Sequence, residues 1–249
     1  MDRVAFSIFG IDIMWYGILI ASGILLAVLV SSREASRLGY KEGQVTDICL
    51  FAVPLGIVGA RLYYVAFNWS QYAGDFREII NIRGGGLAIH GGILAGILTV
   101  WIYTRIKKLE FFKTADILVL GLPMAQAIGR WGNFINGEAH GGPTNLPWAI
   151  LVDSQRVHPT FLYESVWDWL IFIYIIMIRK NKKYEGQLLV DYIFLYSLGR
   201  FFIEGLRTDS LMLGPIRMAQ LISLVGILVA LVVRYFLLKR KALEKESGK

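Results

Sequence analysis

Seven long apolar runs, at residues 14–32, 47–68, 88–105, 114–129, 161–178, 187–205 and 214–237, leave this chain few ways to fold. About 20 apolar residues make a helix long enough to cross a hydrocarbon layer about 30 Å thick. Of the 249 residues 55% are hydrophobic and only 18% charged, with a mean hydropathy of +0.53, so too few polar side chains remain to coat a soluble core. The expected architecture is an all-α integral membrane protein with seven transmembrane helices, a single membrane-embedded domain over residues 1–249.

The net charge of +7 invites a nucleic-acid reading, but the distribution of charge speaks of topology instead. With residue 1 outside, the inner segments carry Arg33, Arg37 and Lys41, then Arg105, Lys107, Lys108 and Lys113. They go on to carry Arg179, Lys180, Lys182 and Lys183, and finally Arg234, Lys239, Arg240, Lys241, Lys245 and Lys249. These are 17 of the 26 basic residues, a positive-inside bias that predicts an N-out, C-in chain with residues 239–249 as a cytoplasmic tail. Asp2 and Arg3 offset one another and no A-x-A-like site follows the first run, so that run is read as a retained span. Residues 4–13, apolar but interrupted, are expected along the outer interface. The lone Cys49 excludes a disulfide within the chain and reads as a small core residue.

The other nine basic residues are all arginine: Arg3, Arg61, Arg77, Arg83, Arg130, Arg156, Arg200, Arg207 and Arg217. Arginine grips phosphate bidentately and tolerates partial burial better than lysine. Counting helical rise from the inner end of each run places Tyr16, Arg61, His90, Arg130 and Arg200 about 24, 21, 23, 24 and 20 Å up. Five segments are thus expected to deliver polar groups to one layer near the outer lipid surface. Charge at that depth is costly and marks a site that handles something polar. The densest stretch is Arg130-Trp131-Gly132-Asn133-Phe134-Ile135-Asn136-Gly137-Glu138. It opens a long segment, 130–160, rich in Gly, Asn and Pro and containing the β-prone run Ala149–Val152, predicted to be an ordered outer loop and small extracytoplasmic head.

Tyr196, Arg200, Glu204 and Arg207 fall at roughly 0°, 40°, 80° and 20° on a helical projection, all on one narrow face. Arg200 and Glu204 could simply neutralise one another; Arg207 leaves the face net positive and favourable to an anion. Gly84-Gly85-Gly86 leads into Ile89-His90-Gly91-Gly92, which places His90 in the first turn of a helix, where free N–H groups favour an anion. No strand–helix unit surrounds these glycines to make a dinucleotide site. Asp116, Glu164 and Asp168 read by default as caps or interhelical hydrogen-bond partners. His140 and His158 fall in the predicted head without the partners a zinc site requires.

These residues carry a resemblance. Gly129-Arg130-x-Gly132-Asn133-Phe134-Ile135-Asn136-x-Glu138-x-x-Gly141 resembles the signature of the bacterial prolipoprotein diacylglyceryl transferases. Agreement extends to Trp15-Tyr16-Gly17, Gly59-x-Arg61, His90-Gly91-Gly92, His158-Pro159-Thr160-x-Leu162-Tyr163-Glu164 and Tyr196-x-x-x-Arg200-x-x-x-Glu204, nearly the whole chain. The resemblance implies an enzyme of the bacterial cytoplasmic membrane, working toward the outer leaflet. It would move the diacylglyceryl group of phosphatidylglycerol to the lipobox cysteine of a prolipoprotein signal peptide and release glycerol phosphate, without cofactor or metal. It further implies that Arg130 holds the headgroup phosphate, with Asn133, Asn136 and Glu138 orienting glycerol hydroxyls and Arg130 itself. Arg200, fixed by Glu204 and joined by Arg207, would meet the departing charge, and His90 or Tyr196 would take the thiol proton. Tyr16 and Arg61 would line the lipid site.

Two other classes remain to be weighed. A membrane transporter or channel binding an anionic solute at its outer face would call for paired, interrupted spans in matching halves. A metal-dependent headgroup transferase would call for aspartates clustered at helical spacing, and Asp116 and Asp168 are too far apart in sequence to suggest them.

Overall fold

The computed structural model describes residues 2–82 and 84–246; Arg83 and Lys249, counted above among the basic residues, lie outside them. The chain opens with a hairpin, β1 (Val4–Ile8) and β2 (Ile11–Met14), then α1 (Trp15–Arg37) and α2 (Gln44–Phe67). Two short helices follow, α3 (Trp69–Tyr72) and α4 (Phe76–Ile80), before α5 (Ile89–Lys107), α6 (Phe111–Val119) and α7 (Leu122–Asn136). A second hairpin, β3 (Ile150–Val152) and β4 (Gln155–Val157), precedes α8 (Thr160–Ile178) and α9 (Gln187–Glu204). A third, β5 (Met212–Leu213) and β6 (Ile216–Arg217), leads into α10 (Met218–Glu246).

Each of the seven apolar runs is largely helix, though the run at 114–129 is broken between α6 and α7 and the run at 214–237 starts in the third hairpin. Among the described residues, five helices are long and apolar enough to cross a membrane, namely α1, α2, α5, α8 and α10. The pair α6 and α7, bent by 40° at a short break, makes a sixth if it counts as one span. The run at 187–205 is α9, an 18-residue helix whose Asp191, Arg200 and Glu204 set it apart from the others. The outward faces bear large apolar side chains, among them Leu25, Phe51, Leu94, Leu170 and Leu228, as lipid-facing helices require.

Residues 4–13, expected along the outer interface, form a β-hairpin closed by Phe9 and Gly10, both at positive φ. Two expectations change. The stretch from Arg130 to Asn136, assigned above to the outer loop, is the C-terminal half of α7, which ends at Gly137 in a left-handed cap. The bend between α6 and α7 also means that a depth counted along one straight helix does not apply to Arg130.

The chain forms two compact units, residues 1–31 with 116–249, and residues 32–115. In the first, Val119, Leu120, Ile171, Ile175, Leu188 and Tyr192 make a buried apolar core joining α6, α8 and α9. Asp116 caps α9 as the default reading supposed: its carboxylate accepts from Gly186 N (2.9 Å) and Leu189 N (3.0 Å) and pairs with Lys182 Nζ (3.0 Å).

In the second unit, α2 packs along α5, with Gly59 and Gly91 at the closest approach. A Cβ on Gly59 would sit 2.4 Å from Ala95 Cβ, and one on Gly91 would sit 2.3 Å from Gly59 O. Backbones meet this closely in membranes only where side chains are absent. The crossing sets the local positions of Arg61, two residues after Gly59, and His90, one before Gly91. Gly91→Ala should therefore cost about 1–3 kcal/mol through overpacking against a carbonyl that cannot yield, read as a lowered thermal midpoint in detergent; an unchanged midpoint would contradict the tight crossing.

Candidate active site

Glu164, in the second turn of α8, is 4% exposed and lies among three guanidinium groups. Arg130 Nε is 2.7 Å from its Oε2, Arg200 Nη1 is 2.5 Å from its Oε1, and Arg207 Nη1 is 3.3 Å from that same oxygen. Glu204, 2% exposed, lies 2.6 Å from Arg200 Nη2 and 3.9 Å from Arg207 Nε. Asp168, one turn after Glu164, is 4.0 Å from Arg130 Nε. Arg130 Nη2 donates to Tyr196 Oη at 3.3 Å. The helical spacing explains the convergence: Glu164 with Asp168 on α8, and Tyr196, Arg200 and Glu204 on α9, each repeat every four residues and face one another across the groove between these helices.

The face is not net positive, contrary to the sequence expectation. Three arginines meet three carboxylates, because Glu164 and Asp168 join Glu204. Arg207 is further tied by a double hydrogen bond to Asp209, Nε to Oδ1 at 2.9 Å and Nη2 to Oδ2 at 2.6 Å. Burial works to raise the Asp209 carboxyl, but Arg207's hydrogen bonds and charge outweigh it and hold the group below its ordinary value. Arg207 also lies beyond the last residue of α9. It stays on the cluster side because the chain tightens there, with Leu206 N donating to Ile203 O and Arg207 N to Glu204 O.

Arg130 Nε, Glu164 Oε2, Asp168 Oδ2 and Glu204 Oε2 are buried and held by charge alone, without an aligned hydrogen bond. Such atoms are rare in a settled interior and mark a place that can receive polar atoms. The cavity among Arg130, Glu164, Trp167, Asp168, Tyr196, Arg200 and Ile203 measures only about 10 Å³. That is about the room of one water, so a headgroup enters only if these side chains rearrange.

The rest of the signature builds the surroundings. A Cβ on Gly141 would meet Leu206 O and His158 Cβ, each at 2.7 Å. Gly141 N donates to His158 O (2.8 Å), Gly142 N to Leu206 O (3.0 Å), and Thr160 Oγ1 to Ala139 O (2.5 Å). The segment after α7 is thereby laced to the start of α8 and the end of α9, next to Arg207. His158 and Trp148 both bond the Tyr163 hydroxyl, at 3.2 and 2.9 Å, within this lacing.

Asn133 and Asn136 are half-buried near the end of α7, and Glu138 is exposed. Glu138 contacts Asn133 Nδ2 at 3.5 Å rather than Arg130, the partner expected from the sequence. Tyr16, in the first turn of α1, lays its ring over Gly132. In the second unit, His90 is exposed in the first turn of α5, tilted toward Tyr63 with 6.2 Å between ring centroids.

Arg61 departs from its expected role. Its guanidinium is buried and donates to Ile79 O (3.0 Å), Gly85 O (2.7 Å), Gly86 O (3.1 Å) and Glu78 O, with Tyr72 below it at 4.9 Å. Those donors organise the loop before α5. Arg156 and Arg217 likewise bond backbone carbonyls, of Leu146 and Glu204. The arginines of this chain thus serve both uses of the fork, pairing with carboxylates and satisfying carbonyls. Glu164 and Asp168 carry little sequence mark of this role, because an acid in an apolar run gives no sign of its partners. Their spacing of four, on a run that follows His158-Pro159-Thr160, was the available signal.

A family model described as prolipoprotein diacylglyceryl transferase matches residues 3–236. A relative in Clostridioides difficile (strain 630), named phosphatidylglycerol--prolipoprotein diacylglyceryl transferase, is 63% identical over 240 residues, 96% of this chain and 97% of the relative. One of the same name in Finegoldia magna is 52% identical over 248 residues, covering 99% and 100%. Another in Bacillus cytotoxicus is 45% identical over 253 residues, covering 97% and 93%.

Removing one partner of a buried ionic network leaves the others uncompensated. Glu164→Ala should destabilise the protein by about 3–5 kcal/mol, seen as a fall in thermal midpoint, while Glu164→Gln, which keeps shape and hydrogen bonding, should recover part of it. Equal midpoints for both variants and the parent would show that Glu164 does not hold the arginines.

Proposed function

The chain belongs to the prolipoprotein diacylglyceryl transferase family, and from that premise we propose how its own residues perform the transfer. The donor is phosphatidylglycerol and the acceptor is the lipobox cysteine of a prolipoprotein signal peptide. The thiolate attacks the glyceryl carbon, a carbon–sulfur bond forms, and the carbon–oxygen bond to phosphate breaks with its electrons passing to the phosphate. The products are a thioether-linked diacylglyceryl cysteine and glycerol phosphate. Negative charge accumulates on the leaving phosphate, so guanidinium donors aimed there stabilise the transition state more than the ground state.

The observation that carries this reading is the convergence of Arg130, Arg200 and Arg207 on Glu164. Fixed carboxylates hold the arginines apart from bulk water with forks oriented, and part of each fork's donor set is left for another acceptor. The phosphate competes with Glu164 for those donors, which accounts for a cavity too small for the headgroup when carboxylate and arginines are in contact. Arg130 and Arg200 grip the phosphate, Glu204 keeps Arg200 in place, and Asn133, Asn136 and Glu138 orient glycerol hydroxyls at the end of α7. His90 or Tyr196 takes the thiol proton; a cysteine is already a few per cent thiolate near neutrality, so a modest base suffices. The protein spans the bacterial cytoplasmic membrane seven times, N-out and C-in, on the basic-residue asymmetry and the largely helical state of all seven runs. The lipid site opens toward the outer leaflet.

The decisive measurement incubates purified protein with phosphatidylglycerol and a lipobox peptide, with chelator present. A mass gain of one diacylglyceryl group supports the transferase, and a transporter predicts none. Arg200 touches Glu164 and Glu204 through different nitrogens, which a lysine ammonium cannot reproduce. Arg200→Lys should then lower kcat by about 10²–10³-fold, as removal of a transition-state donor does; near-parental transfer would remove the clamp role. If His90 handles the proton, His90→Gln flattens the acid limb of the kcat/KM profile against pH, and an unchanged limb assigns the task elsewhere.

A further inference from the structure

A second, apolar crevice of about 400 Å³ lies between α8 and α9, lined by Trp167, Leu170, Ile171, Phe194 and Leu195. Trp167 also lines the charged cavity. Its indole is fixed at the junction: Nε1 donates to Leu195 O at 2.9 Å, and the ring lies so close over Gly199 that an added Cβ there would be 2.1 Å from Nε1. One wall thus serves a compartment of charges on one side and a compartment of hydrocarbon on the other. A diacyl phospholipid has that same division, with its phosphate and glyceryl ester at one end and apolar chains at the other.

The far end of the crevice is polar. Tyr174 Oη donates to Asp191 Oδ2 at 3.1 Å, Gln187 Nε2 reaches the same oxygen at 3.4 Å, and Arg234 of α10 completes the lining. From Glu164 to Tyr174 is ten residues of α8, about 15 Å of helix, enough for the greater part of a fatty acyl chain. Hydrocarbon pushed further would meet a hydrogen-bonded carboxylate and gain nothing. The volume lies within the roughly 300–1,000 Å³ usual for small-molecule sites.

We propose that this crevice holds one acyl chain of the donor phospholipid, threaded past Trp167 from the ester at the arginine cluster, and that its polar end sets the chain length the enzyme accepts. The inference rests on the transferase reading and adds to it a specificity determinant built from α8 and α9. Leu170, which lines the crevice beyond Trp167 and is 54% exposed, narrows or opens it without disturbing the buried core; Phe194, half-buried, sets its width.

The test compares kcat/KM of the full-length protein in nanodiscs for dilauroyl, dipalmitoyl and distearoyl phosphatidylglycerol with one lipobox peptide. Leu170→Trp should depress transfer from dipalmitoyl and distearoyl donors by about tenfold or more, the scale on which apolar pockets discriminate chain size. Its ratio of dilauroyl to dipalmitoyl transfer should rise accordingly, and an unchanged thermal midpoint in detergent reports that the variant is folded. Phe194→Ala should shift the preference toward the distearoyl donor. The proposal is overturned if both variants keep the parent's chain-length profile, whether rates are unchanged or fall equally for all donors. It is also overturned if Arg234→Gln strips a copurifying lipid, seen by native mass spectrometry, while the Leu170 and Phe194 variants leave the profile unaltered, since the crevice would then hold a lipid of the opposite leaflet. A parent that transfers nothing from any donor would instead refute the transferase reading itself.

Discussion

The unit built from residues 1–31 and 116–249 depends on one shared carboxylate. Glu164 is buried and contacts arginines from α7, from α9 and from the turn after α9. Like charges brought this close repel strongly in a medium of low dielectric, and no arrangement of the three arginines would persist without acids among them. Buried ionic networks are weak contributors to stability because desolvation consumes much of the attraction. Their presence here points to use rather than to strength. A set of guanidinium groups held in position by carboxylates is already organised when an anionic phosphate arrives.

The close approach of backbone to backbone is the second constraint. Glycines 59 and 91 let α2 and α5 touch, and Gly141 lets the segment after α7 pass beneath Leu206 O. Each stands beside a polar residue whose position matters: Arg61, His90 and Arg207. Where the chain leaves helical geometry, arginine forks and threonine hydroxyls satisfy the exposed carbonyls, as Arg61 does for residues 78–86 and Thr160 for Ala139. In lipid an unsatisfied carbonyl costs several kcal/mol, so loops between apolar helices need these clamps.

Much of this was legible in the residues. Tyr196, Arg200 and Glu204 share one face of α9 as spacing predicts, Arg207 follows just past its end, and Arg130 and Arg200 each contact Glu164. The roles of Arg61 and Glu164 did not emerge, for related reasons. Arg61 sits in an apolar run with the appearance of a ligand-binding charge, and its partners are backbone carbonyls up to 25 residues away that carry no sequence mark. Glu164 looked like an ordinary interhelical acid because its three partners lie 34, 36 and 43 positions off. The family motif marks both positions without saying which is structural.

The sequence by itself determined that this is a multi-helix membrane protein, where its helices run, and which polar residues lie within them. Hydrophobic length and helical periodicity are local properties, written in consecutive residues. Tertiary structure alone decided which charges neutralise one another, that the signature arginine sits on a helix instead of a loop, and that Trp167 lines both the charged cavity and an apolar crevice. Those outcomes depend on which faces of distant helices are brought together, and the pairing of faces follows from packing over the whole unit rather than from any stretch of chain.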